Sequence, residues 1–124
     1  MENFYVKPQA STPEVNLNAK TGVLCFEGKS RPEDPDAFFV PITDWLLDYV
    51  KSPAPKTVVN FKFSYFNTST SKKIIEILLL LDILFLTEKG LEINWYYKIQ
   101  DEDMLEDGEM LNELTEAEIN LIPL

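Results

Sequence analysis

One stretch limits the folds open to this chain more than any other. Between Val58 and Leu86 an alternating apolar run meets a long apolar segment across four consecutive hydroxyl residues. The run Val58-Val59-Asn60-Phe61-Lys62-Phe63-Ser64-Tyr65 is rich in β-branched and aromatic residues with a period of two, the pattern of a strand. Ile74 to Leu86 contains neither Gly nor Pro and is longer than a typical strand, so it reads as a helix. The joint is Thr68-Ser69-Thr70-Ser71. A hydroxyl at a helix start accepts a hydrogen bond from a free backbone N–H, which makes the run a candidate N-cap. The same place is also a ready anion site, because amides and the positive end of the helix dipole converge there.

The rest of the chain supplies partners for this unit. Val15 to Asn18 and Val23 to Glu27 read as two strands joined by the turn Asn18-Ala19-Lys20-Thr21-Gly22, an antiparallel hairpin. Gly28 to Glu33 reads as loop. Asp34-Pro35 has the form of a helix start, with Asp as the cap and Pro at the first helical position. Phe38, Phe39, Ile42, Trp45, Leu46, Tyr49 and Val50 then mark one apolar helix face. Pro41 inside that pattern predicts a kink or a short first turn, and Ser52-Pro53-Ala54-Pro55 ends the helix.

Lys89-Gly90 closes the long helix with a basic residue and a C′ glycine. Leu91 to Tyr97 alternates as a further strand, and strand, helix, strand at this spacing implies a right-handed crossover with parallel pairing. Asp101 to Leu111 is an acidic amphipathic helix with a weak point at Gly108, and Ile119 to Pro123 can add an edge strand. The sum is a single α/β domain over residues 1–124, a mixed sheet made of the N-terminal hairpin and parallel crossover strands, packed by helices.

Charge and composition exclude several functions. Eleven basic against 21 acidic residues leave a net charge of −10, the wrong sign for a nucleic-acid surface or for anionic lipid. The most apolar window, Ile74 to Leu86, is interrupted by Glu76 and Asp82 and falls short of the ~20 residues a bilayer requires. No leader-like segment opens the chain, and its one cysteine, Cys25, forms no internal disulfide, which suits a reducing cytoplasm.

Catalytic patterns are absent too. There is no histidine, Cys25 has no visible base partner, and no glycine-rich phosphate loop exists. Counted as a calcium loop from Asp101, the fifth position is Leu105 and the sixth is Glu106, so the ligand pattern fails. The sequence therefore points to a non-enzyme that needs no cofactor and no metal.

The long helix carries one more feature. At 100° per residue, Ile74, Ile77, Leu78, Leu81 and Phe85 form its buried side. Ser69, Lys72, Lys73, Glu76 and Thr87 lie opposite, yet Leu80 and Ile83 share that outer stripe and Leu79 borders it. Either another part of the chain covers them, or they form a partner-binding strip. Such a strip would include Asn67, Ser69, Lys72, Lys73, Glu76, Leu80 and Ile83, with the hydroxyl run at its head.

The run Tyr65-Phe66-Asn67-Thr68-Ser69-Thr70-Ser71-Lys72 resembles the Y-[FL]-N-T-S-S signature of the SiaC-type bacterial regulatory phosphoproteins. Ser11-Thr12-Pro13-Glu14, Gly28 to Glu33, Trp45-Leu46, Asn94-Trp95-Tyr96-Tyr97 and Asp101 to Glu106 match the family in the same order. Arg31, Pro35 and Thr70 depart from its usual residues. The resemblance implies a fold similar to the anti-sigma-factor antagonists (STAS-like). It also implies phosphorylation of Thr68, with Ser69 and Thr70 as weaker acceptors, by a serine/threonine protein kinase and reversal by a PP2C-type phosphatase. In the best-known branch the unphosphorylated form binds and activates a diguanylate cyclase. Two other readings of the residues stand beside this one. The domain could be a constitutive protein-interaction adaptor whose hydroxyl run only caps a helix, or a small-molecule or metal sensor working through the acidic helix.

Overall fold

A computed structural model describes all residues, Met1 to Leu124. Six strands form one sheet in sequence order: β1 (Phe4–Val6), β2 (Glu14–Leu17), β3 (Val23–Ser30), β4 (Lys56–Phe66), β5 (Gly90–Tyr97) and β6 (Ile119–Pro123). β1, β2 and β3 pair antiparallel, whereas β3 through β6 pair parallel. The parallel strands are linked by α1 (Pro35–Tyr49), α2 (Thr68–Leu86) and α3 (Glu102–Leu114).

Because each parallel strand lies beside the one before it and crossovers share one hand, the three helices fall on one face. The burial of β4 agrees: Thr57, Val59, Phe61 and Phe63 are buried, while Val58, Asn60 and Lys62 are half-exposed on the open face. That open face carries a polar row. Asn120 Nδ2 donates to Asn94 Oδ1 at 3.1 Å, and Asn94 Nδ2 donates to Asn60 Oδ1 at 2.9 Å.

The hairpin, the α1 start and the parallel β4–β5 pair fall where the sequence put them. Gly22 takes φ +75 in the turn, and Asp34 caps α1 by accepting from the Ala37 amide at 3.1 Å. Several details differ. β1 is an unforeseen edge strand, too short to show a period. It is held by Asn3 Oδ1, which accepts from Ala19 N–H, while Glu2 O accepts from Trp45 Nε1. β3 runs on through Gly28 to Ser30 instead of ending in a loop. α1 continues unbroken through Pro41.

At the end of α2 the left-handed residue is Glu88, φ +59, not a glycine. Lys89 N–H reaches Leu84 O at 2.8 Å and Glu88 N–H reaches Phe85 O at 3.1 Å, a Schellman closure. Gly90 instead begins β5. Gly108 is no weak point in α3: an added Cβ would lie 2.5 Å from Trp95 Cδ1 and 2.8 Å from Leu121 Cδ2. The absent side chain lets α3 press onto β5, where Trp95 Nε1 donates to Met104 O at 2.9 Å.

The core beneath the β4–α2 joint is aromatic. Alternation alone would turn Tyr65 inward after Phe61 and Phe63. A bulge opposite Gly28 and Lys29 shifts the register, so that Lys29 faces Tyr65 and Ser30 faces Phe66, as such insertions do. Tyr65 is left exposed, and Phe66 turns in to meet Phe63 at 5.6 Å and Trp95 at 5.9 Å between ring centroids. The residue just before Asn67 is thereby anchored.

Candidate functional site

The helix start is capped by Asn67, not by a hydroxyl. Asn67 Oδ1 accepts from Thr70 N–H at 3.0 Å and from Ser69 Oγ at 3.1 Å. Asn67 O accepts the first intrahelical bond, from Ser71 N–H, at 3.0 Å. β3 closes the joint from below: Ser30 O accepts from Asn67 N–H and from Thr70 Oγ1, each at 3.2 Å, and the Ser30 and Thr70 hydroxyls lie 2.9 Å apart. Both side chains are fully buried.

The four hydroxyls therefore have different fates. Thr70 is committed to Ser30, Ser69 to Asn67, and Ser71 Oγ to Thr68 O at 2.7 Å. Thr68 alone is exposed and makes no side-chain hydrogen bond within the chain. It occupies the first helical position, where backbone N–H groups have no partner inside the helix.

The electrostatics single out the same helix. All three helix starts lie at the edge where the parallel strands end. α1 has Asp36 in its first turn and α3 has Glu102 and Asp103, but the first turn of α2 has no acidic residue. Two dipoles are compensated from within the chain and one is not. The nearby lysines divide the work. Lys73 pairs with Asp36 of α1 and, at 3.7 Å, with Glu76. Its ammonium is held above the ordinary lysine range chiefly by the hydrogen bond to Asp36, against some desolvation. Lys72 is exposed and joins no ion pair, and it stands at i+4 from Thr68, the spacing of neighbours on a helix face.

A model of the SiaC family regulatory phosphoproteins matches residues 6–124. The chain belongs to the SiaC family. The fold is similar to apo-SiaC from Pseudomonas aeruginosa, TM-score 0.89 at 22% identity, over 98% of this chain and 99% of that one. It is similar to the same bacterium's SiaC bound as the activator of the diguanylate cyclase SiaD, TM-score 0.92 at 22% identity, over 98% and 99%. An uncharacterised protein of Pseudomonas aeruginosa strain UCBPP-PA14 is 25% identical over 113 residues, 91% of this chain and 90% of its own length.

In this SiaC-family domain the residues singled out in the sequence separate into three groups. Thr68, Lys72, Glu76, Ile83 and the half-exposed Ser69 reach the outer face of α2. Asn67 and Lys73 are part of the framework, as cap and as tie to α1. Thr70 and Leu80 are corrected: Thr70 is sealed beneath the joint, and Leu80 is half-buried against the core. Phe85 is also corrected, since it lies in the last turn of α2 and is 47% exposed. Leu84 takes the inward place, and Asp82 is buried where its carboxylate accepts from Glu116 and Ala117 N–H at 3.2 and 3.3 Å. The outward apolar stripe is Leu79, Ile83 and Leu86, with Thr68 and Lys72 at its head. At 100° per residue these five fall within about 60° of arc. Ser30 and Asp36, which brace the site, were beyond reach of the sequence because both act across elements.

The acidic α3 offers no ligand cluster. No three carboxylate or thiol groups come together as metal ligands anywhere in the chain, and no helix is long and apolar enough to cross a membrane.

Proposed function

We propose that the domain is a non-catalytic signalling substrate in which the state of Thr68 controls binding to a downstream effector. A serine/threonine kinase adds the phosphate, a PP2C-type phosphatase removes it, and the unphosphorylated form engages the effector. The observation that carries this reading is the selectivity of the joint. Of four consecutive hydroxyls, one is exposed, unbonded, and set on the single helix start that lacks an acidic residue.

The chemistry follows from that placement. Thr68 Oγ1 is the nucleophile toward the γ-phosphorus of ATP held by the kinase, and ADP leaves. The product carries about −1.5 to −2 charges and three acceptor oxygens. The first amides of α2 and the Lys72 ammonium are in reach to hold it, as phosphate is commonly held at helix N-termini. A partner lying along α2 covers Thr68 together with Leu79 and Ile83. Placing a dianion under that partner costs desolvation, and a loss of ~3–4 kcal/mol is a few hundred-fold in affinity. Family membership favours a phosphoprotein role, and the complex formed by the Pseudomonas SiaC favours a diguanylate cyclase as the class of effector.

The test is direct. Incubation with the cognate kinase and ATP, followed by peptide mapping in a mass spectrometer, should place one phosphate on Thr68. Full incorporation into Thr68→Ala protein would overturn the assignment.

A further inference from the structure

We propose that the cleft at the carboxyl ends of β4 and β5, on the sheet face that no helix covers, binds a small organic anion, a ring-bearing carboxylate or phosphate monoester. The inference does not depend on Thr68, which heads a helix packed on the other face of the sheet.

The cleft exists because β4 loses its neighbours at this edge. Its last partner on β5 is Trp95, opposite Phe61, yet β4 runs on to Phe66 and β5 to Tyr97. On the other flank the register with β3 slips between Gly28 and Lys29. Gly28 takes φ +118 there, a conformation that residues with a Cβ rarely adopt. After Tyr97 the chain turns away, and Asp101 N–H donates to Lys98 O at 2.8 Å before α3 begins. What remains is an opening of about 340 Å³ whose lining includes Gly28, Lys62, Ser64, Tyr96 and Lys98. That volume lies at the lower end of the range for small-ligand sites.

The lining selects the ligand. Side chains alternate along a strand, and Phe61, Phe63 and Trp95 are buried in the core. Lys62, Ser64 and Tyr96 therefore stand together on the open side, and Lys98 borders them from the turn. Lys62 is half-buried, and its ammonium lies 5.0 Å from the centre of the Tyr96 ring, a cation–π contact that orders the charge without neutralising it. Neither Lys62 nor Lys98 joins an ion pair. The hydroxyls of Ser64 and Tyr96 make no hydrogen bond within the chain. Two acidic side chains also border the cleft. Asp101 is engaged as the α3 cap, accepting from Met104 N–H at 3.1 Å, and Glu27 is exposed. Two ammoniums and two hydroxyls thus face one uncommitted carboxylate, in a chain whose net charge is −10. A carboxylate or phosphate brings the acceptors these donors lack, and charge-assisted bonds of this kind are the strong ones. Phe63, Tyr96 and Tyr97 line the same opening and suit a ring on the ligand.

The experiment titrates the whole unphosphorylated chain at low salt with phenyl phosphate, benzoate, inorganic phosphate and, as the uncharged counterpart, benzyl alcohol, with nitrogen-15 shifts as the readout. Saturable shifts clustered on Gly28, Ser64, Tyr97 and Lys98 are expected with a ring-bearing anion. Inorganic phosphate should bind more weakly and benzyl alcohol not at all, and the ratio of phenyl phosphate to benzoate tells which acid group the cleft prefers. Lys62→Met and Lys98→Met keep the apolar stems, and each should weaken binding by about tenfold or more. Melting curves establish that each variant is folded, and either one alone suffices for the test. Lys72→Met, in the first turns of α2, should leave the affinity unchanged. No saturable shift with either ring-bearing anion, equal binding of benzyl alcohol, shifts confined to Thr68 through Lys72, or unchanged affinity in a folded Lys62 or Lys98 variant would overturn the proposal. No kinase or effector enters these measurements, so a failure of Thr68 to be modified would leave the cleft result standing, and the reverse.

Discussion

Phosphorylation of Thr68 should stabilise the isolated domain, and the size of the effect follows from what surrounds the residue. An anion at an exposed helix N-terminus contributes about 0.3–1 kcal/mol at low ionic strength. The first turn of α2 has no other acidic residue to share that field. Lys72 at i+4 adds about 0.3–0.5 kcal/mol, in the favourable order with the anion N-terminal to the cation. Asp36, the carboxylate in the first turn of α1, is already paired with Lys73, which mutes its repulsion of a second anion. The net gain is about 1 kcal/mol. At about 2.1 cal/mol/K per residue, 124 residues give an unfolding entropy of about 260 cal/mol/K, so the melting temperature should rise by about 4 °C.

The phosphate's second pKa, about 6 in an unfolded chain, is depressed in the fold by the helix end and by Lys72. The share of the gain that comes from the second charge is therefore complete above pH ~6 and lost as pH falls through the folded value, while the monoanion keeps the remainder. It should also shrink by more than half in about 1 M salt, where the screening length is near 3 Å. Scanning calorimetry of phosphorylated and unphosphorylated protein at pH 7.5 and 5, in low and high salt, measures all three. An aspartate at buried Thr70 is the contrasting control and should destabilise strongly, because it leaves an unpaired charge in the core. If the phosphorylated protein melts several degrees lower at pH 7.5 in low salt, the helix-start geometry argued for Thr68 is wrong.

Other perturbations test the frame around the site. Gly108→Ala, a helix-favouring change by propensity, should instead cost about 1–3 kcal/mol, because the new methyl meets Trp95 and Leu121; a raised denaturation midpoint in urea would contradict this. Glu88→Gly should gain about 0.5–1 kcal/mol by relieving a left-handed conformation at a residue with a Cβ, read as a higher thermal midpoint. Asp107→Asn should raise the melting temperature at pH 7 and change little near pH 3. The reason is that the folded carboxyl titrates above its unfolded value, so the native state binds the extra proton and loses stability as pH rises through that window. An equal effect at both pH values would point to a packing cause instead.

Much of the fold was legible because most elements are announced by local chemistry. Alternation marks β4 and β5, Asp34-Pro35 marks the start of α1, and Asn18 to Gly22 marks the hairpin turn. What escaped depends on neighbours. A wheel treats α2 as an endless cylinder, so it buries Phe85, although the last turn lies at the rim of the layer. It also exposes Leu80, although α1 covers that flank. The hydroxyl run drew the cap away from Asn67, whose amide oxygen does the capping, and no periodicity could tell that Ser30 would reach Thr70 from forty residues away in the chain. Gly108 looked like a defect until Trp95 was beneath it.

The candidate site was legible in outline because the lack of an acidic residue at the start of α2 is a property of composition, while the exposure of one hydroxyl among four is a property of packing. Three helices begin at one edge of the sheet, and two of them begin with carboxylates of their own. In α2 the corresponding first turn is filled with small hydroxyl residues, which can cap a helix but cannot neutralise its dipole. Ser30, Asn67 and the backbone oxygen of Thr68 then occupy three of the four hydroxyls. One helix start thus remains electrostatically incomplete, and one oxygen remains chemically available to complete it. A constitutive adaptor would gain from an Asp or Glu in this turn, as α1 and α3 do. Leaving the charge out of the sequence is an arrangement in which it can be supplied and withdrawn from outside.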